Sequence, residues 1–277
     1  MILFEDQVVF ITGAGSGIGR GIAEELARRG AVVVATDRDG PSVAAVAAGI
    51  RSRGGRAEAM TVDVTRADDV RAAVEATAQA HGRLDYLFNN AGVGFCGEVR
   101  DTTLDQWRTV LDVNVNGVIH GIHAAYPIMV KQGRGHIVNT ASLAGLVIAP
   151  TMAPYAASKY AVVGLSRALR AEGEALGVKV TALCPGFIDT AVYENSITAG
   201  MHPQAVRTSV PFPIVPLGVA VRQLIEGVER NRELVVLPRL ARRIWWITRI
   251  APWLMLEAAR RTMKSFRRKQ RIGGANA

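Results

Sequence analysis

Thr12-Gly13-Ala14-Gly15-Ser16-Gly17-Ile18-Gly19 follows an apolar run at residues 8–11 and precedes a helix-forming stretch at 20–29. Glycine lets a backbone turn sharply and approach a neighbouring group closely, because it has no Cβ. Where such a loop opens a helix, free N–H groups and the positive end of the helix dipole converge, a setting suited to a pyrophosphate. A glycine pattern alone is weak evidence; its position between strand and helix is what the motif requires. Gly13, Ser16, Gly17 and Ile18 are thus expected around the pyrophosphate of a dinucleotide, and Gly19 to let the helix pack closely on the sheet.

Working outward, the alternation of strand and helix repeats. Short apolar runs at 31–36, 57–62, 84–88, 135–140, 179–183 and 233–237 alternate with helical patterns at 41–53, 67–81, 104–126, 154–176 and 219–231. Strands that are continuously apolar are buried on both faces, which favours a parallel sheet between two helical layers. The expected fold is α/β, a doubly wound parallel sheet in a single domain over residues 1–238. Residues 239–277 form a separate C-terminal extension.

Asp37 stands at the end of the second run, 18 residues after Gly19. A carboxylate there accepts from both adenosine ribose hydroxyls and repels a 2′-phosphate, which favours NAD. The neighbouring Arg38 is a guanidinium that would hold such a phosphate, so NADP is the alternative. Asp63, beside Val64, ends the third run, where a carboxylate meets the adenine amino group.

Tyr155 and Lys159 are four residues apart in a helical pattern and share one face. A phenol with a pKa near 10 is a poor base at neutral pH, and a cation one turn away lowers that pKa. Ser142 lies 13 residues upstream, just past a strand, placed to polarise the same substrate oxygen.

Taken together, the glycine loop, Asp63-Val64, Asn89-Asn90-Ala91-Gly92, Asn114, Ser142, Tyr155-Ala156-Ala157-Ser158-Lys159, and Pro185-Gly186 with Thr190 resemble the short-chain dehydrogenase/reductase family over about residues 5–238. The resemblance implies a Rossmann fold and an oxidoreductase moving a hydride between NAD(H) and an alcohol or carbonyl carbon. It makes Tyr155 the proton donor or acceptor and Lys159 the group that lowers its pKa and bonds the nicotinamide ribose. Ser142 orients the substrate oxygen, and Asn114 holds a water linking Lys159 to solvent. Asn90, Ala91 and Gly92 support the sheet and the adenosine side. Pro185, Gly186, Ile188 and Thr190 lie at the nicotinamide end. The family also implies a homo-oligomer, paired partly through the helices carrying Asn114 and Tyr155. An NADPH-dependent ketoreductase and a non-catalytic nucleotide-sensing protein are the competing readings.

After Pro185-Gly186 the segment 191–216 is expected to cover the substrate. It carries Met201, Val206, Val210, Phe212, Ile214 and Val215, with His202 and Arg207 as isolated polar exceptions. Leu143, Leu146, Val147, Ile148 and Met152 are expected on the opposite wall. The absence of a charged cluster suggests a lipophilic alcohol or ketone of steroid, retinoid, terpenoid or fatty-alcohol type.

The chain has 277 residues and a net charge of +9, unevenly distributed. Residues 239–271 hold eleven Lys/Arg and the single acid Glu257, leaving the remainder near neutral. A near-neutral body argues against nucleic acid as a partner, and a basic end suggests a docking tail. In that tail Leu240, Ile244, Ile247 and Ala251 share one helical face, and Leu256, Ala259, Met263 and Phe266 another. Tryptophans and a strongly basic polar face mark an interfacial helix, a candidate for peripheral membrane contact; the alternative is that the apolar stripe covers the substrate lid or a partner subunit. The N-terminus has no basic region followed by an apolar core, so a cytoplasmic protein is expected, membrane-associated if the tail docks. Cys96 and Cys184 have no metal spacing and read as reduced structural thiols, and no metal site is expected.

Overall fold

The computed structural model describes residues 4–202, 205–208 and 214–269; the expected lid residues Val210 and Phe212, and Arg271 of the tail, lie outside them. Strands are β1 (Val8–Thr12), β2 (Val32–Asp37), β3 (Arg56–Thr61), β4 (Tyr86–Asn89), β5 (Phe95–Gly97), β6 (Gly135–Thr140), β7 (Val178–Pro185), β8 (Ile197–Ala199) and β9 (Leu234–Leu237). Helices are α1 (Gly17–Arg28), α2 (Gly40–Ser52), α3 (Ala67–His81), α4 (Leu104–Leu111), α5 (Gly117–Gln132), α6 (Ala153–Gly173), α7 (Ala205–Thr208), α8 (Leu217–Glu229), α9 (Arg239–Ile250) and α10 (Pro252–Lys269).

Among the described residues one sheet runs β3-β2-β1-β4-β6-β7-β9, with every neighbouring pair parallel. The doubly wound α/β expectation holds. Val9, Ile11, Val33 and Ala35 face a core shared with α1, α2 and α8; Phe10, Val34, Leu87 and Ile137 face the other layer with α3 and α5. That two-sided burial explains why the strands read as unbroken apolar runs. Strand order reverses between β1 and β4, and the crevice beyond their carboxyl ends is where such a sheet accepts a ligand.

Two features depart from the sequence pattern. The helix expected over 104–126 runs on to Gln132 but contains a π-turn, Asp112–Asn116, which carries Asn114. A single π-turn rotates the side chains that follow it, and such turns recur at functional sites. β5 and β8 form a small parallel pair that the periodicity does not reveal, since each has only three residues.

The extension packs on the body and the lid, in keeping with the reading of its apolar stripe as a cover. Ala241, Ile244 and Trp245 of α9 pack against Leu143 and Val147. Met263 and Phe266 of α10 pack against Cys96, Tyr193, Met201 and Val206. The expected stripe of Leu240, Ile244, Ile247 and Ala251 is therefore split: Ile244 turns inward while Leu240 and Ile247 stay exposed. The α10 stripe holds for Ala259, Met263 and Phe266, but Leu256 is exposed.

Candidate active site

A cleft of about 920 Å³ opens at the switch point. Gly13 adopts φ +65°, and a Cβ there would come within 2.7 Å of the Ala91 Cα. A Cβ on Gly19 would collide with the Gly13 carbonyl oxygen and the Asn90 amide. Gly19 thus packs the helix against the loop and the end of β4, a closer reason for glycine than sheet packing alone. Asn90 Nδ2 donates to the carbonyls of Thr12 (3.2 Å) and Gly13 (3.1 Å), so it braces the loop. α1 begins at Gly17 with Ser16 as N-cap; the Ser16 hydroxyl does not cap the helix and the first turn carries no acid. The amide donors and the positive dipole there remain directed at the cleft, as an anion requires.

At the adenosine side, Asp37 Oδ2 accepts from the Gly15 amide at 2.9 Å and Oδ1 from the Asp39 amide at 3.1 Å. The carboxylate is oriented by the glycine loop itself. Asp63 Oδ1 accepts from the Thr65 amide (2.9 Å) and hydroxyl (2.8 Å). These bonds, with the charges of Arg38 and Arg66, hold its carboxyl below the usual range. Arg38 is exposed at the rim, where its charge acts on Asp39 and Asp63.

The other end of the cleft holds the candidate chemistry. Tyr155 and Lys159 come from the first turns of α6, and Ser142 follows β6. Lys159 Nζ is buried, donates to the Thr140 carbonyl at 2.9 Å and lies 5.6 Å from the centroid of the Tyr155 ring. Burial brings its pKa down to about 8. Burial pushes the Tyr155 phenol above its ordinary value, and a hydrogen bond with the Ser142 hydroxyl works against that rise. The Lys159 ammonium is engaged by a backbone carbonyl and lies beside the Tyr155 ring. Ser142 is held by the Ala144 amide, which donates to its hydroxyl at 3.2 Å. Cys184 lies behind this group; burial pushes its thiol up to about 12, so it stays protonated.

Asn114 lies outside the cleft lining, fully buried. Its Oδ1 accepts from the Val93 amide at 2.8 Å. Its Nδ2 donates to the Val93 carbonyl (3.0 Å) and to Ser158 Oγ (3.1 Å). Ser158 in turn donates to the Tyr155 carbonyl at 2.7 Å. Asn114 thereby connects the loop after β4 to the helix carrying Tyr155.

The short chain dehydrogenase family description matches residues 7–199. This chain belongs to the short-chain dehydrogenase family. It is 38% identical over 206 residues to the cyclohexanol dehydrogenase of Acinetobacter sp. (strain SE19), covering 72% of this chain and 81% of that one. It is 42% identical over 200 residues to the probable oxidoreductase EphD of Mycobacterium tuberculosis (strain ATCC 25618 / H37Rv), covering 72% of this chain and 33% of that protein. This chain thus spans about a third of the length of that relative. A crystal structure of a short chain dehydrogenase/reductase from Burkholderia phymatum in complex with NAD superposes with a TM-score of 0.79 at 33% identity, covering 85% of this chain and 90% of that one.

In this short-chain dehydrogenase the sequence-derived residues gather in one cleft, except Gly19 and Asn114, which support it from behind. Ile188, Thr190, Pro185 and Gly186 form the rim beyond β7, and Val64 the adenosine wall. Three contributors escape sequence reasoning. The Thr12 hydroxyl accepts from the amides of Asn90 (3.0 Å) and Ala91 (3.1 Å), and its place at the end of β1 was the available signal. The Thr140 carbonyl is a backbone group and leaves no sequence signal. Tyr193, a buried lid residue, lines the cleft.

The expected opposite wall is corrected. Leu143 and Val147 bury against Ala241 under α9 and do not line the cleft. Of the lid residues, Met201 and Val206 are buried against Phe266, while His202 is exposed. Arg207 is held by Asp189 at 2.7 Å and by Glu194 at 3.3 Å.

Proposed function

We propose that this protein is an NAD(H)-dependent dehydrogenase acting on a CH–OH group of a lipophilic alcohol, with Tyr155 as acid and base. The observation that carries the reading is one cleft with a glycine cradle and Asp37 at one end and Ser142, Tyr155 and Lys159 at the other. The glycine loop, the start of α1 and Asp37 would hold the dinucleotide; Ile188 and Thr190 would border its nicotinamide end. When bound, the nicotinamide accepts or supplies the hydride.

The chain's own part is the proton. Ser142 orients the substrate oxygen, and the Tyr155 phenol takes the hydroxyl proton in oxidation or returns it in reduction. Lys159 stabilises the phenolate and bonds the nicotinamide ribose; Asn114 keeps the loop and α6 in register around it. Water linked to Asn114 would carry the proton onward.

NAD is favoured over NADP because Asp37 is already oriented by the loop and would repel a 2′-phosphate. A lipophilic substrate is supported by Val93, Val192 and Tyr193 along the cleft and by the ion pairing of Arg207, which removes a ready anion clamp. A homo-oligomer through α4, α5 and α6 is supported by Leu111, Ile119 and Tyr160, apolar and exposed on those helices. A panel of cyclic and long-chain alcohols with NAD and with NADP, read at the nicotinamide absorbance, tests the reading. Preference for NADPH and a ketone would favour the ketoreductase instead.

A further inference from the structure

The turn between α9 and α10 is built unlike the rest of the surface. α9 buries Ala241 and partly buries Ile244 and Trp245 against the body; α10 buries Phe266 and partly buries Met263. The residues between and opposite them remain exposed: Trp246 at 53%, Ile250 at 71%, Trp253 at 66% and Leu254 at 54%. Ile250, Trp253 and Leu254 lie within five residues at the elbow itself, where Pro252 starts the second helix. A cluster of large exposed apolar side chains marks an interaction surface, whereas scattered ones do not.

The charge of the two helices is one-sided. Arg239, Arg242, Arg243 and Arg249 are exposed on α9, and Arg260, Arg261, Lys264 and Arg268 on α10. Glu257, the single acid of these helices, is shared by Arg260 and Arg261. No described helix is long and apolar enough to cross a membrane, so the apolar tip would enter an interface and not a bilayer core. A second copy of this chain would set the same arginines against themselves in a twofold contact, and like charge opposes it.

We propose that the α9–α10 elbow docks this enzyme on an anionic lipid bilayer. Ile250, Trp253, Leu254 and Trp246 insert at the headgroup boundary, and the exposed arginines of the two helices draw the elbow to the lipid phosphates. α10 continues from this elbow to the lid, where Phe266 packs with Tyr193 of the cleft wall. Docking would therefore hold the substrate end of the molecule near the lipid surface.

The test uses the full chain and sedimented vesicles of phosphatidylcholine, alone or with about a third phosphatidylglycerol. Binding should favour the anionic vesicles by about tenfold or more and fall steeply between about 50 mM and about 500 mM salt. Replacing Ile250, Trp253 and Leu254 together by Ser should cost about tenfold or more in binding while the far-UV spectrum and melting midpoint stay unchanged. Arg242→Gln with Arg243→Gln keeps the tip and should shrink the anionic preference. The proposal is overturned if full-length protein fails to sediment with anionic vesicles or sediments equally with both compositions. It is equally overturned if the Ser variant binds like the parent, or changes oligomer size in solution with vesicle binding intact, which would make the elbow a protein contact.

Discussion

Lys159 donates its ammonium proton to the Thr140 carbonyl at 2.9 Å while lying 5.6 Å from the centre of the Tyr155 ring. The end of β6 and the start of α6 are thus joined at the point where, on the proposed function, the proton moves. Lys159→Met should remove this tie and the stabilisation of the phenolate together. Turnover should fall by roughly 10²–10⁴, and Lys159→Arg should rescue little, because a planar guanidinium does not fit a site built for a compact ammonium. Steady-state rates of the two variants check this.

On the proposed function, Asp37 sets the choice of dinucleotide. Asp37→Ala frees the Gly15 amide and removes the charge that opposes a 2′-phosphate. The ratio of kcat/KM for NAD over NADP should drop by at least about tenfold, the equivalent of about 1.4 kcal/mol. An unchanged ratio would assign cofactor choice elsewhere, with Arg38 the first candidate.

Asn114 is a positioning residue. Asn114→Ala leaves the part-buried Val93 amide and carbonyl and the buried Ser158 hydroxyl without this partner, at a cost of about 1–3 kcal/mol. The melting midpoint should fall. The dependence of rate on pH should also lose its sharpness, since the path for the proton is disturbed. Asn114→Asp keeps the acceptor for the Val93 amide but loses the donors to the Val93 carbonyl and Ser158, so it should recover only part of the stability.

His136 gives a stability prediction with a defined sign. It is buried against Thr181, and burial brings its imidazole pKa down to about 3 from an ordinary value of 6.5. The unfolded chain binds the proton first as pH falls, so stability is complete above about 6.5 and declines towards about 3. Denaturant midpoints across that range should fall with acidification, and His136→Gln should flatten the slope between pH 6.5 and 4.5, above the range of ordinary carboxylates. A slope unaltered by the substitution would remove His136 as its source.

Much of the candidate site is legible because its residues sit in short, ordered motifs. The loop from Thr12 to Gly19 declares itself through glycines whose Cβ atoms would strike Ala91 and the loop's own carbonyl. Tyr155 and Lys159 declare themselves by helical spacing. What stays hidden depends on backbone groups and on long-range packing. The Thr140 carbonyl has no residue type, and the π-turn that presents Asn114 has no simple periodicity. The extension shows why an apolar stripe is ambiguous: Ile244 and Ile247 look alike in sequence, yet one faces Leu143 and the other solvent. For Tyr155, helical spacing conveys the nearby cation but not the burial that raises its phenol pKa.

The account rests most heavily on Tyr155 as the proton-transfer group, and one measurement reaches it directly. Parent and Tyr155→Phe are compared with NAD and a lipophilic alcohol, following nicotinamide absorbance as pH is raised, with NADH binding followed by fluorescence. Because the phenol pKa is raised by burial, oxidation in the parent should climb with pH. The variant should bind NADH as the parent does, lose roughly 10²–10⁴ in rate, and show no such climb. A variant that turns over at nearly the parent rate, with the same rise with pH, would contradict the account.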